Sequence, residues 1–179
     1  MLVVNLFGGP GSGKSTMAAD IFASLKHQGV NCELVREFAK DMVWSKRLPE
    51  MRDQIYLLGE QHHRLWVLKD QVDVVVTDSP LLQSLPYAYA YLPWGIYDSY
   101  KELTLNLHDQ YFNYNLWVTR CKDYNPAGRT QTEEEAVSLD IETGLILDEQ
   151  QIYTHNVTPY QIPLVLDGIR RRLPHDNMS

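Results

Sequence analysis

The residues best equipped for chemistry come early. Gly8-Gly9-Pro10-Gly11-Ser12-Gly13-Lys14-Ser15 satisfies the pattern G-x-x-x-x-G-K-[ST] at every position. Glycines at this spacing let successive backbone N–H groups turn inward around a phosphate. A helix opening near Gly13 adds positive potential at its N-terminus. Lys14 supplies a point charge for β- and γ-phosphates, and the Ser15 hydroxyl suits Mg²⁺. Residues 8–16, ending at Thr16, are therefore the expected cradle for ATP and its Mg²⁺. A metal on Ser15 needs a carboxylate facing it. Asp78 closes the apolar run Val72–Thr77, where such an acid belongs. Asp78-Ser79-Pro80 also suits a helix start, and the two roles are compatible.

A phosphate loop serves switches, motors and kinases alike. The guanine-reading pattern N-K-x-D does not occur in this sequence, and AAA-type ATPases usually need a longer chain with arginines supplied by a neighbouring subunit. A small kinase needs a nucleotide site, an acceptor site and an arginine-bearing lid. Arg120, Lys122 and the stretch Asn125-Pro126-Ala127-Gly128-Arg129 supply basic groups in a Gly/Pro-marked loop, so a lid is expected near residues 120–132. Arg120 and Arg129 are its candidate catalytic cations. On the acceptor side, Glu37 lies just beyond the second strand. A carboxylate there can orient a hydroxyl and take its proton; a surface salt bridge with Arg36 or Lys40 is the alternative. Gln54, Gln61 and Arg64 share a helix beside the expected pocket, and Gln61 and Arg64 fall on one face. Such groups can read a base or an amide.

These residues need a scaffold. Leu2 to Phe7 reads as a buried strand, followed by a helix through Met17, Ile21 and Leu25 that stops at Gly29. Cys32 to Val35 reads as a second strand. Ile55, Leu58, His62, Leu65 and Leu68 fit one face of a helix over 50–71. Val72 to Thr77 is too apolar to alternate, which suits a parallel strand buried on both faces. Leu116 to Thr119 and Ile162 to Leu166 are two further candidate strands. Thr132-Glu133-Glu134-Glu135 matches a capping box opening a helix that Gly144 is expected to end. Alternating strands and helices imply an α/β fold: three layers, with a five-stranded parallel sheet in the order 2-3-1-4-5. Residues 1–179 are expected to form a single domain.

Several stretches carry a resemblance. The phosphate loop, Arg36-Glu37-Phe38, the helix with Leu58-Gly59-Glu60-Gln61-His62-His63-Arg64, and the Asp78 strand resemble small P-loop kinases related to nicotinamide riboside kinase. Asn31-Cys32-Glu33-Leu34-Val35 with Lys40-Asp41, Thr77-Asp78-Ser79-Pro80-Leu81, and Tyr124-Asn125-Pro126-Ala127-Gly128-Arg129 look like bacteriophage nucleotide-kinase-like ATPases. That group includes kinases of 5-hydroxymethyluracil within DNA. The resemblance implies an ATP-dependent phosphotransferase acting on a nucleoside- or nucleotide-like acceptor, with a base in DNA as an alternative. Nucleoside and thymidylate kinases carry an arginine in their motif after strand three. Asp78-Ser79-Pro80 lacks it, so that recognition is not transferred.

Composition narrows the partners. The formal charge is −7, from 16 basic and 23 acidic residues, which argues against non-specific nucleic-acid binding. The acids are uneven: residues 1–60 carry seven acids and seven bases, residues 121–179 ten acids and five bases. The balanced N-terminal third and Arg170-Arg171-Arg172 leave room for DNA as acceptor, although a triple arginine also suits a solvated helix end. Aromatic residues number 19, many between Tyr87 and Tyr114. They suit ring stacking, an aromatic core or a homodimer interface. Cys32 and Cys121 are expected to sit reduced in a core. No apolar run reaches membrane-spanning length, and the first residues lack a signal peptide's pattern, so a cytoplasmic protein is expected. A nucleotide-dependent binding module that hydrolyses ATP slowly is the alternative of another class.

Overall fold

The structure is a computed structural model that describes residues 1–121, 123, 125 and 131–173. Five strands form one parallel sheet: β1 (Leu2–Phe7), β2 (Cys32–Val35), β3 (Val74–Thr77), β4 (Phe112–Val118) and β5 (His155–Val157). Their spatial order is β2-β3-β1-β4-β5, as expected from the sequence. Seven α-helices connect and flank them: α1 (Lys14–His27), α2 (Phe38–Trp44), α3 (Gln54–Trp66), α4 (Leu85–Tyr91), α5 (Trp94–His108), α6 (Glu133–Glu149) and α7 (Ile162–Arg170). Short 3₁₀ turns at Pro49–Arg52 and Leu81–Ser84 complete the described elements.

Strand side chains alternate between two cores. Val4 and Leu6 pack with Met17, Ile21 and Leu25 of α1 and Val165 and Ile169 of α7. Val3 and Phe7 face Leu58 and Leu65 of α3, Tyr97 and Tyr100 of α5, and Leu147 of α6. The sheet is thus sandwiched between helical layers. All four residues of β3 are buried, as its unbroken apolar run requires.

Four boundaries differ from the sequence reading. The fifth strand is His155–Val157, not Ile162–Leu166. The latter segment opens α7, with Pro163 in the first turn, where its missing N–H costs nothing. Val165, Leu166 and Ile169 are buried while Leu164 is 55% exposed, a helical pattern. Gly144 does not end α6, which runs to Glu149. The helix read over 50–71 is divided by Asp53, whose side chain accepts the Tyr56 N–H and caps α3. Ile55, expected inward, is exposed. β4 starts at Phe112, four residues before Leu116. Its Asn113 and Asn115 accept from Asn5 Nδ2 at 2.8 and 2.9 Å, so polar residues enter the sheet as satisfied pairs.

Candidate active site

Gly8–Gly13 leave the C-terminal end of β1, where ligands of an open α/β sheet bind. Gly13 caps α1 at φ +101, and a Cβ there would lie 2.8 Å from Pro159 Cγ, so only glycine fits. Lys14 is the first helical residue. Its Nζ donates to the Gly8 and Gly9 carbonyls, the latter at 2.9 Å, which folds the side chain over the loop. Burial pushes the ammonium below the ordinary lysine range, while Glu37, Asp78 and Asp140 pull the other way and Arg120 adds to the lowering. Three carboxylates thus oppose the effect of burial on the half-buried Lys14 ammonium.

One cleft of about 660 Å³ joins this loop to a second pocket. Gly8, Pro10, Gly11, Gly13, Lys14, Ser15 and Thr16 line it at the donor end. Glu37 and Asp78 stand at the junction. Asp78 is 5% exposed, and its Oδ1 accepts the Glu37 N–H at 3.0 Å, so the end of β3 fixes the residue that caps α2. With the Ser15 hydroxyl on the same cleft, the Asp78 carboxylate makes an oxygen donor set that suits Mg²⁺. Gln54, Phe38, Leu57, Tyr87 and Tyr91 wall the rest of the cleft, where the sequence reading expects the acceptor. Most aromatics are not there: Tyr97, Tyr100, Tyr111 and Tyr114 are buried. Tyr100, pushed up to about 12 by burial, belongs to the core.

The other sequence-predicted residues divide by placement. Gln54 is buried, and its Nε2 donates to the Met51 carbonyl at 2.7 Å. Gln61 borders the cleft, yet its amide is already committed: Oε1 accepts the Phe38 N–H at 3.0 Å and Nε2 donates to the Ser79 carbonyl at 3.1 Å. It links α2 to the loop after β3 instead of offering an open amide. Arg64 does not line the cleft. It pairs with Asp41 at 3.1 Å and lies 4.8 Å over the Phe38 ring, which anchors α2. Arg36 also reaches Asp41, at 3.7 Å. Gly9 and Ser12 sit behind the lining of the loop. Arg120 packs on its outer side, donating to the Pro10 carbonyl at 2.6 Å and pairing with Asp140 at 2.7 Å. Arg129 and most of the expected lid lie outside the described residues. Cys121 is exposed, not in a core, because β4 has ended three residues earlier; Cys32 is buried. The triple arginine is absorbed locally: Arg170 meets Gln28, Arg171 pairs with Asp167, and Arg172 lies over Tyr114.

Three residues were missed by the sequence reading; Gln83 and Asp140 hold the loop directly, and Thr143 holds Gln83. Gln83 Oε1 accepts the Gly8 N–H at 3.3 Å, and its Nε2 donates to Thr143 Oγ1 at 3.0 Å. Asp140 accepts the Gly9 N–H. Thr143 and Asp140 lie three apart on one face of α6, with Ala136 one turn earlier. The available signal was that stripe of small and polar residues.

A parallel sheet in this order, with G-x-x-x-x-G-K-S after its central strand, defines a P-loop nucleotide-binding fold. The chain belongs to the AAA_28 family (AAA domain), whose model matches residues 3–161. A chain of 179 residues thus does belong to an AAA-domain family, contrary to the expectation from its length. The fold is shared with the NadR protein in complex with NR, at TM-score 0.70 and 16% identity over 98% of this chain and 51% of that one. It is also shared with deoxyadenosine kinase from M. mycoides with dCMP and dCDP, at TM-score 0.59, 16% identity, and 94% and 99% coverage. The same kinase with dATP aligns at TM-score 0.55 and 16% identity, over 94% of this chain and 97% of that one. The chain spans about half the length of the NadR chain. No curated protein matches the sequence.

Proposed function

We propose that this protein is an ATP- and Mg²⁺-dependent kinase of a nucleoside- or nucleotide-like acceptor. The observation that carries the reading is the continuity of the cleft, from the phosphate loop past Glu37 and Asp78 to an aromatic-walled pocket. A protein that only hydrolysed ATP would need no second pocket. Two structures that share the fold are the NadR protein in complex with NR and a deoxyadenosine kinase with dCMP and dCDP, which agrees with this reading. Glu37 would orient the acceptor hydroxyl and accept its proton as the oxygen attacks the γ-phosphorus. The bond from that phosphorus to the β-bridging oxygen breaks, and ADP leaves. Lys14 would offset charge on the phosphates, within a loop already held in shape. Ser15 and Asp78 would hold Mg²⁺, which supplies charge neutralisation between the β- and γ-phosphates. Among the described residues no helix is long and apolar enough to cross a membrane.

The test is incubation with γ-labelled ATP and a panel of nucleosides, nucleotides and hydroxymethylated DNA. Label on a free nucleoside or nucleotide is the expected result. Label only on DNA would move the acceptor to a base in a polymer, and label only in inorganic phosphate would make this a hydrolase.

A further inference from the structure

The helix that follows the expected lid contributes a carboxylate to the back of the phosphate loop. One oxygen of Asp140 accepts the Gly9 N–H, and the other meets Arg120 at 2.7 Å. Arg120 in turn donates to the Pro10 carbonyl at 2.6 Å. Asp140 and Arg120 are 23% and 18% exposed by side chain, so the pair is shielded and its charge–charge contact is little screened. The contact leaves no space to spare. A Cβ on Gly9 would lie 2.6 Å from the Ala136 carbonyl and 2.7 Å from the Asp140 carboxylate. Neither Gly9 nor Asp140 lines the cleft, so this brace sits behind the loop and outside the ligand's path.

We infer that Asp140 is a positioning residue of the phosphate site: it holds Gly9, and through Arg120 holds Pro10, in the geometry that receives a phosphate chain. This rests on the nucleotide reading above. A phosphate cradle works when its donors are fixed before the ligand arrives, because no reorganisation is then required on binding. Lys14 closes the loop from within, on the Gly8 and Gly9 carbonyls. Asp140 and Arg120 close it from without, on the Gly9 N–H and the Pro10 carbonyl. Helix α6 and Arg120 therefore brace the phosphate loop together, and Asp140 is the point of attachment.

The probes are magnesium tripolyphosphate and magnesium ADP, titrated by calorimetry into the full chain. Tripolyphosphate reports the loop without a base. Asp140→Ala should weaken both about tenfold or more, the scale of a supporting residue one step behind a ligand-binding group. Asp140→Asn keeps an acceptor for the Gly9 N–H but loses the charge facing Arg120, and should fall between. It also serves if the alanine variant fails to fold. The cycle with Arg120→Ala is the measurement that a purely structural role would not satisfy. If Asp140 acts through Arg120, the double variant should bind no worse than the weaker single variant, within about twofold. Wild-type binding with Asp140→Ala and Asp140→Asn unchanged would overturn this inference alone. So would single losses that multiply in the double variant. Absence of any binding by wild type would overturn the nucleotide reading, and this inference with it.

Discussion

The two ends of the cleft are built differently. The donor end is backbone, held from every side: Lys14 on the Gly8 and Gly9 carbonyls, Gln83 on the Gly8 N–H, Asp140 on the Gly9 N–H and Arg120 on the Pro10 carbonyl. The acceptor end is side chain. Phe38, Leu57, Tyr87 and Tyr91 form its walls, and Tyr91 is 52% exposed. The Gln61 amide, the Asp78–Glu37 contact and the Arg64–Asp41 pair tie its elements together. A rigid backbone cradle recognises phosphate, which every triphosphate shares. A side-chain pocket recognises shape, which differs between acceptors. Substitutions at one end should therefore act on ATP and those at the other on the acceptor.

The largest effect is expected at Lys14. Lys14→Ala should lower turnover by roughly a hundred- to a thousandfold, as removal of one fixed donor to developing charge does. Melting temperature should hold, since the burial that pushes this ammonium down is relieved. Retained turnover would remove the distinction between the two ends. Asp78→Asn should raise the Mg²⁺ requirement roughly tenfold, because the charge is lost while Oδ1 still accepts from Glu37. A Mg²⁺ titration of turnover checks this; an unchanged curve would make Asp78 only a tether for α2. Tyr87→Ala should raise acceptor KM about tenfold, the loss of one stacked ring being worth about 1–3 kcal/mol. ATP KM should stay put, and movement of both constants would merge the two ends. The smallest effect on turnover is expected from Gly9→Ala. Its Cβ would press α6 away from the loop at a cost of about 1–3 kcal/mol, seen as a lower melting temperature and weaker ATP binding with acceptor KM unchanged.

The same asymmetry decides what could be read in the sequence. The donor loop is local: glycines, lysine and serine lie within nine consecutive residues, after an apolar strand and before a helix. β3 and its terminal Asp78 were legible for the same reason. The braces were not, because Gln83, Asp140 and Thr143 come from elements far along the chain. Helix α6 also inverts the usual rule. Val137, Ile141 and Leu145 form an apolar stripe that is 46%, 59% and 63% exposed, while Ala136, Thr143 and Leu147 are buried. Hydrophobic periodicity therefore selects the wrong face, and Gly144 reads as a stop although it lies inside the helix, beside Trp117. Gln61 and Arg64 were correctly placed on one helix, but their partners, the Phe38 N–H and Asp41, belong to α2, which was not read from the sequence. The short strand His155–Val157 is three residues with two polar ones, too little for a periodic signal.

Whether the cleft transfers phosphate or only releases it rests on Glu37. The direct measurement counts, in one reaction with the acceptor found by label transfer, the phosphoryl groups placed on acceptor and those released as inorganic phosphate, for wild type and Glu37→Gln. Wild type should place nearly one group on acceptor per ATP consumed. Glu37→Gln keeps shape and hydrogen-bonding reach but loses the proton-accepting charge, so transfer should fall roughly a hundredfold, with ATP affinity and background hydrolysis unchanged. Equal loss of transfer and hydrolysis, or wild-type ATP consumption that ends wholly in inorganic phosphate with every acceptor, would contradict a kinase built on this cleft.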